Sequence, residues 1–390
     1  MTANPQFNNH LLPLWSDDTL FTPAFVYDEG HVVEKLELLS WVRKESGCHI
    51  LYSVKALSFN TLLQTISGYV DGFSVSSLFE GRLAREILGN NGSIHLTSPG
   101  IRTDDMPEIS KTCDYISFNS LNQFMYNRQW TKKLHCGVRI NPGLSFVKDK
   151  RYDPCRKFSK LGIPISELGG IYSNLDLLKE LSGLHVHSNC ESENYSELEQ
   201  TIAKLTRQHG ELLTRMQWLN LGGGYLLKDQ GQLDVLCRLV KRLRQQYGLE
   251  IYFEPGKAIV GGAGYLVASV IDIFTSNGRK IAVVDTTVNH LPEVFEYQYR
   301  PHILQDSTDG KYEYRIVGAS CLSGDLFGDY RFEKALETGN RIIFSNVGAY
   351  MLVKANMFNG INLPCIYRLD QSGHIQQVRK YDYTDFRNRL

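Results

Sequence analysis

The sequence has no excess of either charge. It contains 42 Lys and Arg residues against 42 Asp and Glu residues, so the formal net charge at neutral pH is zero. A strongly basic chain would favour nucleic acid or an anionic membrane surface as the partner. This balance favours neither of them, and we expect a small-molecule substrate.

Export signals, membrane spans and cysteine motifs are also missing. The first residues, "MTANPQFNNHLLPLW", lack the basic stretch and the apolar stretch of a signal peptide. The most apolar run, "GYLVASVIDIF" at 264–274, is too short to cross a bilayer. Eight cysteines without a CxxC pair indicate neither a disulfide framework nor a zinc ribbon. We expect a cytoplasmic protein without a metal site.

Short apolar runs that alternate with longer amphipathic segments fill the first two thirds of the chain. The predicted strands are "AFVYD" (24–28), "HILYSV" (49–54), "GFSV" (72–75), "SIHLT" (93–97), "YISF" (115–118), "CGVRI" (136–140), "GLHVH" (183–187), "WLNLGGG" (218–224) and "EIYFEP" (250–255). Such alternation is typical of βα units and a parallel sheet. Eight or nine units predict a (β/α)₈ TIM-type barrel over residues 22–257.

The pattern changes after residue 257. Strand-like runs such as "KIAVVDTT" and "RIIFSNV" then follow one another without long helices between them. This predicts a second, mostly antiparallel β domain over residues 258–390. Residues 1–21 are irregular, and we expect them to pack with that domain.

Lys55 ends the apolar run "ILYSVKALS" (50–58). If Leu51, Ser53 and Lys55 share the inner face of a barrel strand, Lys55 lies at the carboxyl end, where barrel active sites are found. A lysine there can form a Schiff base. The alternative is an ordinary lysine at a strand end that reaches water.

Two histidines of "GLHVHSNCE" (183–191) face the same side of a predicted strand. His185 and His187 could form a metal pair, but the sequence offers no third ligand at a matching spacing. The favoured interpretation is that His187 lines a cofactor pocket, while His185 is a hydrogen-bonded interior residue.

A glycine run and an acidic strand end follow. In "LNLGGGY" (219–225) the backbone N–H groups of successive glycines could converge on a phosphate, although the run could also be a simple tight turn. Glu254, in "YFEPGKA" (252–258), could be catalytic, could cap a turn, or could keep a heterocyclic nitrogen protonated.

Two later residues carry little information by themselves. Cys321 lies in the glycine-rich acidic loop "GASCLSGDLFGDY" (318–330), and a buried structural cysteine is the ordinary interpretation. Tyr350 follows a Gly-Ala pair in "FSNVGAYMLVKANMFNG" (344–360), and most tyrosines serve packing alone.

Taken in order, these stretches resemble one enzyme family. The markers are "PAFVYDE", "YSVKALS", "VSSLFEGRLAREILG", "FNSLNQF", "GVRINPG", "YDPCRKFSKLGIP", "GLHVHSNCE", "LNLGGGY", "YFEPGKA", "GYLVASVIDI", "CLSGDLFGDY" and "FNGINLP", and they span residues 23–364. The chain resembles the fold-type III decarboxylases that use pyridoxal 5′-phosphate (PLP), the alanine racemase-like group that includes ornithine and diaminopimelate decarboxylases.

The resemblance implies roles for the barrel residues. Lys55 would hold PLP as a Schiff base, and His187 would stack on the pyridine ring. Glu254 would pair with the pyridine nitrogen and keep it protonated. The phosphate would be bound by the backbone N–H groups of three residues, Gly222, Gly223 and Gly224, with the hydroxyl of Tyr350.

For the second domain, the resemblance implies a homodimer with shared active sites. Cys321 would reach the site of the partner subunit, and Asp325 lies near it in the sequence. We hypothesise in addition that the thiol of Cys321 acts as a general acid, and that acidic residues bind the protonated amines of a long substrate; the candidates are Asp285, Glu293 and Asp325. The sequence departs from the family pattern in the segment 285–301. It also departs at Lys257, because the family usually has a glutamate or an arginine at that position.

The implied reaction is the decarboxylation of carboxynorspermidine or carboxyspermidine in polyamine biosynthesis. One alternative is a decarboxylase of the same fold that acts on diaminopimelate, ornithine or an unusual basic amino acid. Another is a non-catalytic regulatory homologue, against which the presence of both Lys55 and Cys321 argues.

Overall fold

The structure, a computed structural model, describes residues 9–172, 175–227 and 230–390. Within them the strands are β1 Ala24–Asp28, β2 His49–Ser53, β3 Gly72–Val75, β4 Ser93–Ser98, β5 Tyr115–Phe118, β6 His135–Asn141, β7 Ile163–Pro164, β8 Gly183–Val186, β9 Trp218–Asn220, β10 Glu250–Phe253, β11 Gly264–Ser276, β12 Arg279–Val284, β13 Tyr312–Val317, β14 Leu326–Phe332, β15 Arg341–Ser345, β16 Cys365–Leu369 and β17 Ile375–Arg379.

The helices are also numbered along the chain. The α-helices are α1 Pro13–Ser16, α2 Glu29–Ser46, α3 Asn60–Ser67, α4 Leu78–Leu88, α5 Met106–Thr112, α6 Leu121–Asn127, α7 Gly169–Tyr172, α8 Leu175–Glu180, α9 Ser196–Leu213, α10 Gln230–Tyr247, α11 Lys257–Val260, α12 Pro292–Tyr297, α13 Met351–Lys354 and α14 Tyr383–Arg387. Short 3₁₀ segments lie at Asn9–Leu11, Val54–Ala56, Thr103–Asp105, Arg128–Trp130, Ile165–Glu167, Gly261–Ala263 and Phe358–Gly360.

Eight parallel strands close into a barrel, which confirms the predicted (β/α)₈ fold. The order runs from β2 through β3, β4, β5, β6, β8 and β9 to β10, and β10 pairs back with β2. The two-residue strand β7 is added to β6 outside this circuit. Because all these strands are parallel, their carboxyl ends lie at one rim, where barrel enzymes place their active sites.

The barrel helices cover the strands with apolar stripes. In α10 the buried leucines and valine recur every three or four residues, at Leu233, Leu236, Val240 and Leu243. This spacing places them on one helix face, which packs on the barrel while the charged residues face water. The strands themselves read as continuous buried runs, as expected for a parallel sheet covered on its outer face.

Aromatic side chains fill the barrel interior. Trp218 packs with Leu51 and Tyr252 in one buried cluster. Gly137 and Gly183 lie directly under the indole, since a Cβ on either residue would overlap the ring of Trp218. The filled interior makes the barrel a packed core and leaves a ligand site to the rim at the carboxyl ends of the strands.

The second sheet is mostly antiparallel, as predicted. Its strand order is β14-β13-β12-β11-β1-β16-β17, and β15 also pairs with β11. The long strand β11 is antiparallel to β1, β12 and β15, whereas β1–β16 and β12–β13 are parallel.

Strand β1 corrects one sequence-based expectation. We counted "AFVYD" among the barrel strands, but β1 pairs with β11 and β16 of the second sheet. All five of its residues are buried, so its burial pattern is the same as that of a barrel strand such as β3. Only the long-range pairing with residues 264–267 and 365–369 distinguishes them.

The chain divides into two compact units. The barrel unit is Val33–Ile259, and the sheet unit consists of the described residues up to Val32 together with Val260–Leu390. In the sheet unit Leu14 and Leu20 lie in a buried cluster with Val26 and Ile343. Residues 1–8, which belong to the N-terminal segment that we expected to pack here, lie outside the described residues.

Among the helices of the described residues, none combines the length and the apolarity that crossing a bilayer requires.

Candidate active site

Lys55 lies just beyond the carboxyl end of β2. The strand ends at Ser53, one residue earlier than the predicted strand 49–54, and Lys55 occupies the 3₁₀ turn Val54–Ala56. The turn is held against the end of β10, because the N–H of Ser53 donates to the carbonyl of Pro255 at 3.0 Å. This contact fixes the position of the lysine at the barrel rim.

The amine of Lys55 is exposed, yet protein surrounds it closely enough to change its chemistry. Burial lowers its pKa, and the charge of Arg139 lowers it further, while Glu254 and Glu80 act in the opposite direction. A lowered pKa increases the neutral fraction, which is the nucleophilic form of a Schiff-base lysine.

Glu254 follows β10 and is almost completely buried, with 6% of its surface exposed. Asn220 Nδ2 donates to its Oε1 at 2.7 Å, and His185 Nε2 lies 3.3 Å from its Oε2. Burial alone would raise the pKa of Glu254, but the hydrogen bonds with His185 and Asn220 and the nearby charge of Lys55 hold the pKa well below its usual range. The carboxylate therefore stays ionised inside the barrel.

His185 contacts Glu254 as a neutral imidazole. Burial lowers the pKa of His185, so the ring donates Nε2–H to the carboxylate rather than forming an ion pair. Its Nδ1 is buried and has no hydrogen-bond partner among the described residues. In the neutral ring Nδ1 is an unpaired acceptor, whereas in the protonated ring it would be an unpaired N–H donor of a cation. Burying the unpaired acceptor costs less free energy, which supports the neutral form.

His187 is fixed by the glycine turn that follows β9. The N–H of Gly223 donates to His187 Nδ1 at 3.1 Å, so in the neutral ring the proton is on Nε2. Burial and the positive charge of Lys55 hold the pKa of His187 well below its usual value. A neutral and partly exposed ring of fixed orientation is suited to stacking on a flat ligand.

The glycine turn approaches the neighbouring strand ends too closely for any side chain. A Cβ on Gly223 would overlap the carbonyl oxygen of Glu254, and a Cβ on Gly224 would overlap that of Asn189. Gly222 and Gly224 also have positive φ angles of 67° and 89°. The turn therefore requires glycine, both for its conformation and for the close approach.

The N–H groups of this turn are not equally available. That of Gly222 donates to Asn220 Oδ1 at 2.8 Å, and that of Gly223 donates to His187. In the part of the chain that the structure describes, the N–H of Gly224 has no acceptor. Of the three N–H groups that the sequence suggested for a phosphate, this one is available without rearrangement.

The structure adds residues that sequence reasoning missed. Arg139 on β6 is only 9% exposed, its Nε has no partner among the described residues, and it lies near Lys55 and Glu254. An arginine within an apolar barrel strand was a visible signal, because buried charges are rare without a task. Asn220 gave no comparable signal, since a polar residue before glycines is usual in turns.

Lys257 does not carry an isolated charge. Its Nζ lies 2.6 Å from Glu191 Oε1, and Glu191 adopts a left-handed backbone conformation with φ of 54°. The pair is partly exposed, so it contributes little stability.

Cys321 is in a loop of the sheet unit and is the exposed one of the eight cysteines. The alternative of a buried structural cysteine is therefore wrong. Its N–H donates to Asn359 Oδ1 at 2.9 Å. The same loop is braced by Asp325, whose Oδ1 accepts from the N–H of Val288 at 2.8 Å and whose Oδ2 accepts from both the N–H and the hydroxyl of Ser320.

The other two predicted substrate-binding acids lie in different surroundings. Asp285 accepts hydrogen bonds from the Thr22 hydroxyl at 2.6 Å and from the N–H of Ser269 at 2.8 Å, and burial raises its pKa. Glu293, on α12, lies 3.2 Å from Lys354 Nζ on α13. Each of the three acids therefore has its own set of protein partners.

Tyr350 precedes α13 with a φ of 66°. For a bulky residue this left-handed conformation is an outlier of the kind found at functional sites.

Comparison with known proteins identifies the family. The family model described as "Pyridoxal-dependent decarboxylase, C-terminal sheet domain" matches residues 24–348. The chain belongs to the pyridoxal-dependent decarboxylases. Its cofactor is therefore PLP, and it is a carboxy-lyase.

Individual relatives agree over nearly the full length. The chain is 33% identical over 380 residues to the carboxynorspermidine/carboxyspermidine decarboxylase of Campylobacter jejuni, covering 94% of this chain and 97% of the relative. It is equally 33% identical to the carboxyaminopropylagmatine decarboxylase of a Synechocystis strain, covering 95% and 96%. The crystal structure of C. jejuni carboxynorspermidine decarboxylase complexed with norspermidine superposes with a TM-score of 0.86 at 31% identity, covering 95% and 100%.

The barrel residues fit PLP by their own chemistry. They offer an amine of lowered pKa at Lys55, an ionised carboxylate at Glu254 and a neutral histidine ring at His187. They also offer a glycine turn that a Cβ would block, with an uncommitted N–H at Gly224. These are the groups that an aldehyde, a pyridinium nitrogen, an aromatic face and a phosphate require.

Proposed function

We propose that this decarboxylase acts on carboxynorspermidine or carboxyspermidine and releases norspermidine or spermidine. The observation that supports this most strongly is the 33% identity to the C. jejuni enzyme over 94% of the chain. The likeness to the norspermidine complex covers all of that solved chain. We propose accordingly that the substrate is a long cationic amine that carries one carboxylate.

The barrel residues would act as follows. When bound, PLP supplies an electron sink for the pair of electrons that carbon dioxide leaves behind. Lys55 would hold the cofactor covalently until the substrate amine displaces the lysine. The lowered pKa of Lys55 favours this exchange. Glu254 would accept the pyridine N–H, and because it stays ionised it would keep that nitrogen protonated. His187 would hold one ring face, and Gly224 N–H would bind phosphate.

In the sheet unit, we assign the proton donor to Cys321 and a phosphate contact to the hydroxyl of Tyr350. An exposed thiol can deliver a proton to the substrate Cα after carbon dioxide has left. We keep the interpretation of a homodimer in which this thiol serves the partner subunit. We also propose the cytoplasm as the location, because the eight cysteines of the sequence include no CxxC pair and do not form the pattern of a disulfide framework.

A second substrate is supported by a specific observation. The Synechocystis relative acts on carboxyaminopropylagmatine, and its identity to this chain is the same 33%. That substrate ends in a guanidinium, whereas the norspermidine and spermidine precursors end in a primary amine. A guanidinium presents a planar fork of donors and an ammonium a compact charge, so one site rarely binds both equally well.

The test is a competition among the carboxylated amines. The PLP-loaded enzyme is given carboxynorspermidine, carboxyspermidine, carboxyaminopropylagmatine, meso-diaminopimelate and L-ornithine, and carbon dioxide release gives kcat/KM for each. We expect the first two to exceed both amino acids by about 10²-fold or more. A preference for carboxyaminopropylagmatine would replace the proposed substrate, and a preference for diaminopimelate or ornithine would reject the polyamine assignment.

A further inference from the structure

Asn220 stands at the junction between the two halves of the cofactor site. It is the last residue of β9 and is 1% exposed. Its Oδ1 accepts the N–H of Gly222 at 2.8 Å, and its Nδ2 donates to Glu254 Oε1 at 2.7 Å. One planar amide therefore connects the glycine turn to the carboxylate that meets the pyridine nitrogen.

The backbone repeats this connection. The N–H of Glu254 donates to the carbonyl of Gly222 at 2.8 Å, and the N–H of Leu221 donates to the carbonyl of Tyr252 at 2.8 Å. Strands β9 and β10 thus remain joined beyond their last ladder pair. Within this frame the side chain of Asn220 is the element that reaches the carboxylate itself.

An amide side chain satisfies both partners at this position. It must present an acceptor to Gly222 and a donor to Glu254, and asparagine supplies both from one rigid group. Aspartate would keep the acceptor but would set a second anion 2.7 Å from Glu254 Oε1. Two carboxylates so close cannot both remain ionised at neutral pH.

We propose that Asn220 is a positioning residue that aligns the glycine turn with the Glu254 carboxylate, so that the phosphate and the pyridine nitrogen of PLP are bound by one rigid unit. The proposal concerns cofactor binding and does not depend on which amine is the substrate. It assigns Asn220 no direct contact with PLP or with the substrate.

The test uses the full-length apoprotein and measures the dissociation constant of PLP by absorbance between pH 6 and pH 8.5. Asn220→Asp keeps the hydrogen bond from the N–H of Gly222. It replaces the amide N–H that donates to Glu254 with a carboxylate oxygen, so that two anions face each other. We expect the dissociation constant to rise about 10- to 100-fold relative to the wild type at pH 8. The loss should diminish toward pH 6, because the paired carboxylates then share a proton and the O–H donates to Glu254.

Asn119→Asp is the matched control. Asn119 also follows a barrel strand, accepts an N–H from Gly162 at 2.8 Å and donates to the carbonyl of Lys160 at 2.8 Å, with no carboxylate as partner. We expect its PLP affinity, taken relative to wild type, to show no such change with pH. An Asn220→Asp variant whose affinity equals that of this control, or whose loss is the same at every pH, would overturn the proposal.

Pyridoxal, which lacks the phosphate, separates the two bonds of Asn220. Asn220→Asp should weaken pyridoxal and PLP by the same factor, since the bond to Gly222 remains. Asn220→Ala loses both bonds and should weaken PLP more than pyridoxal. Equal factors for both ligands in Asn220→Ala would remove the glycine turn from the proposal.

The double variant Asn220→Asp/Glu254→Gln guards against misfolding. In the double variant the carboxylate is at position 220 and the amide donor is at position 254, so the contact contains no pair of anions. We therefore expect the double variant to fold, and circular dichroism measures whether it does. Its PLP affinity should be weak and should not recover at pH 6. Recovery at low pH in this variant would show that the effect does not arise from the contact with Glu254, which would overturn the proposal.

Discussion

Two buried carboxylates, Glu254 in the barrel and Asp325 in the sheet unit, are hidden to nearly the same degree, with 6% and 4% of their surfaces exposed. Their partners differ. Glu254 is contacted by the side chains of Asn220 and His185, whereas Asp325 is bound by the N–H groups of Val288 and Ser320 and by the Ser320 hydroxyl. Burial alone therefore does not identify a reactive acid; the kind of partner does.

The same contrast extends to the surroundings of the two acids. The barrel rim combines shifted pKa values, an exposed lysine and an Arg139 Nε that has no hydrogen-bond partner in the described part of the chain. The acidic loop of the sheet unit satisfies its carboxylate mainly with its own backbone and leaves the Cys321 thiol exposed. The barrel rim thus concentrates groups with shifted pKa values, whereas the hydrogen bonds of Asp325 lie within the loop that carries Cys321 and connect it to Val288.

Lys55→Ala gives the largest expected effect, on the barrel side of the comparison. Without the amine, PLP cannot be held covalently, and turnover should fall by more than about 10³-fold. Borohydride reduction followed by peptide mass spectrometry shows whether PLP is attached at Lys55, and carbon dioxide release measures turnover. Lys241→Ala, which removes only an exposed ion pair with Glu45, is the control. Normal PLP attachment and turnover in Lys55→Ala would contradict the assignment.

Cys321→Ala tests the reactive group of the sheet unit. Loss of a general acid should slow amine formation about 10²- to 10⁴-fold. It should also raise the share of turnovers in which the proton goes to the cofactor, which yields an aldehyde and pyridoxamine phosphate. Chromatographic separation of the products measures this share, with Cys237→Ala as the control for thiol removal at a buried position.

Mixing Lys55→Ala and Cys321→Ala chains sharpens the same test. If the thiol serves the partner subunit, each heterodimer should regain one active site. A verified heterodimer without activity, or an unchanged product share in Cys321→Ala, would count against a shared site.

Glu293→Gln tests whether an acid of the sheet unit selects the substrate. Because Glu293 is buried, the variant should weaken the binding of a substrate ammonium at this residue by about 1–3 kcal/mol. The effect should appear mainly as a lower kcat/KM for long polyamines. Glu296→Gln is a matched control, since Glu296 lies on the same helix and also pairs with Lys354 but is more exposed. Equal losses in the two variants would point to Lys354 pairing rather than to substrate binding.

Asp325→Asn should have the smallest effect on substrate choice. Removing the charge weakens two N–H contacts, so we expect about 1–3 kcal/mol less stability in urea unfolding, together with a lower kcat through the Cys321 loop. The ratio of kcat/KM between long polyamines and short diamino acids should stay the same. A selective loss for the long amines would restore Asp325 as a substrate-binding residue and would break the comparison with Glu254.

The sequence by itself determined the barrel, the sheet unit and the residues that carry a local signature. Strand and helix periodicity predicted eight or nine βα units, and eight of the nine predicted strands form the barrel, since that signal depends only on neighbouring residues. Lys55 at a strand end, the glycine run and Glu254 before Pro-Gly were also visible without coordinates. The family resemblance supplied their roles, and the match over residues 24–348 confirmed the family.

Only the tertiary structure decided what depends on distant partners. Strand β1 resembles a barrel strand until its pairing with residues 365–369 places it in the second sheet. Asn220 and His185 are 34 and 69 residues from Glu254 along the chain, so no local pattern could bring them to its carboxylate. The partners of Asp325 likewise include a donor 37 residues away, at Val288. Periodicity specifies which face a residue occupies, whereas the hydrogen-bond partners that set its chemistry are fixed when the strands assemble.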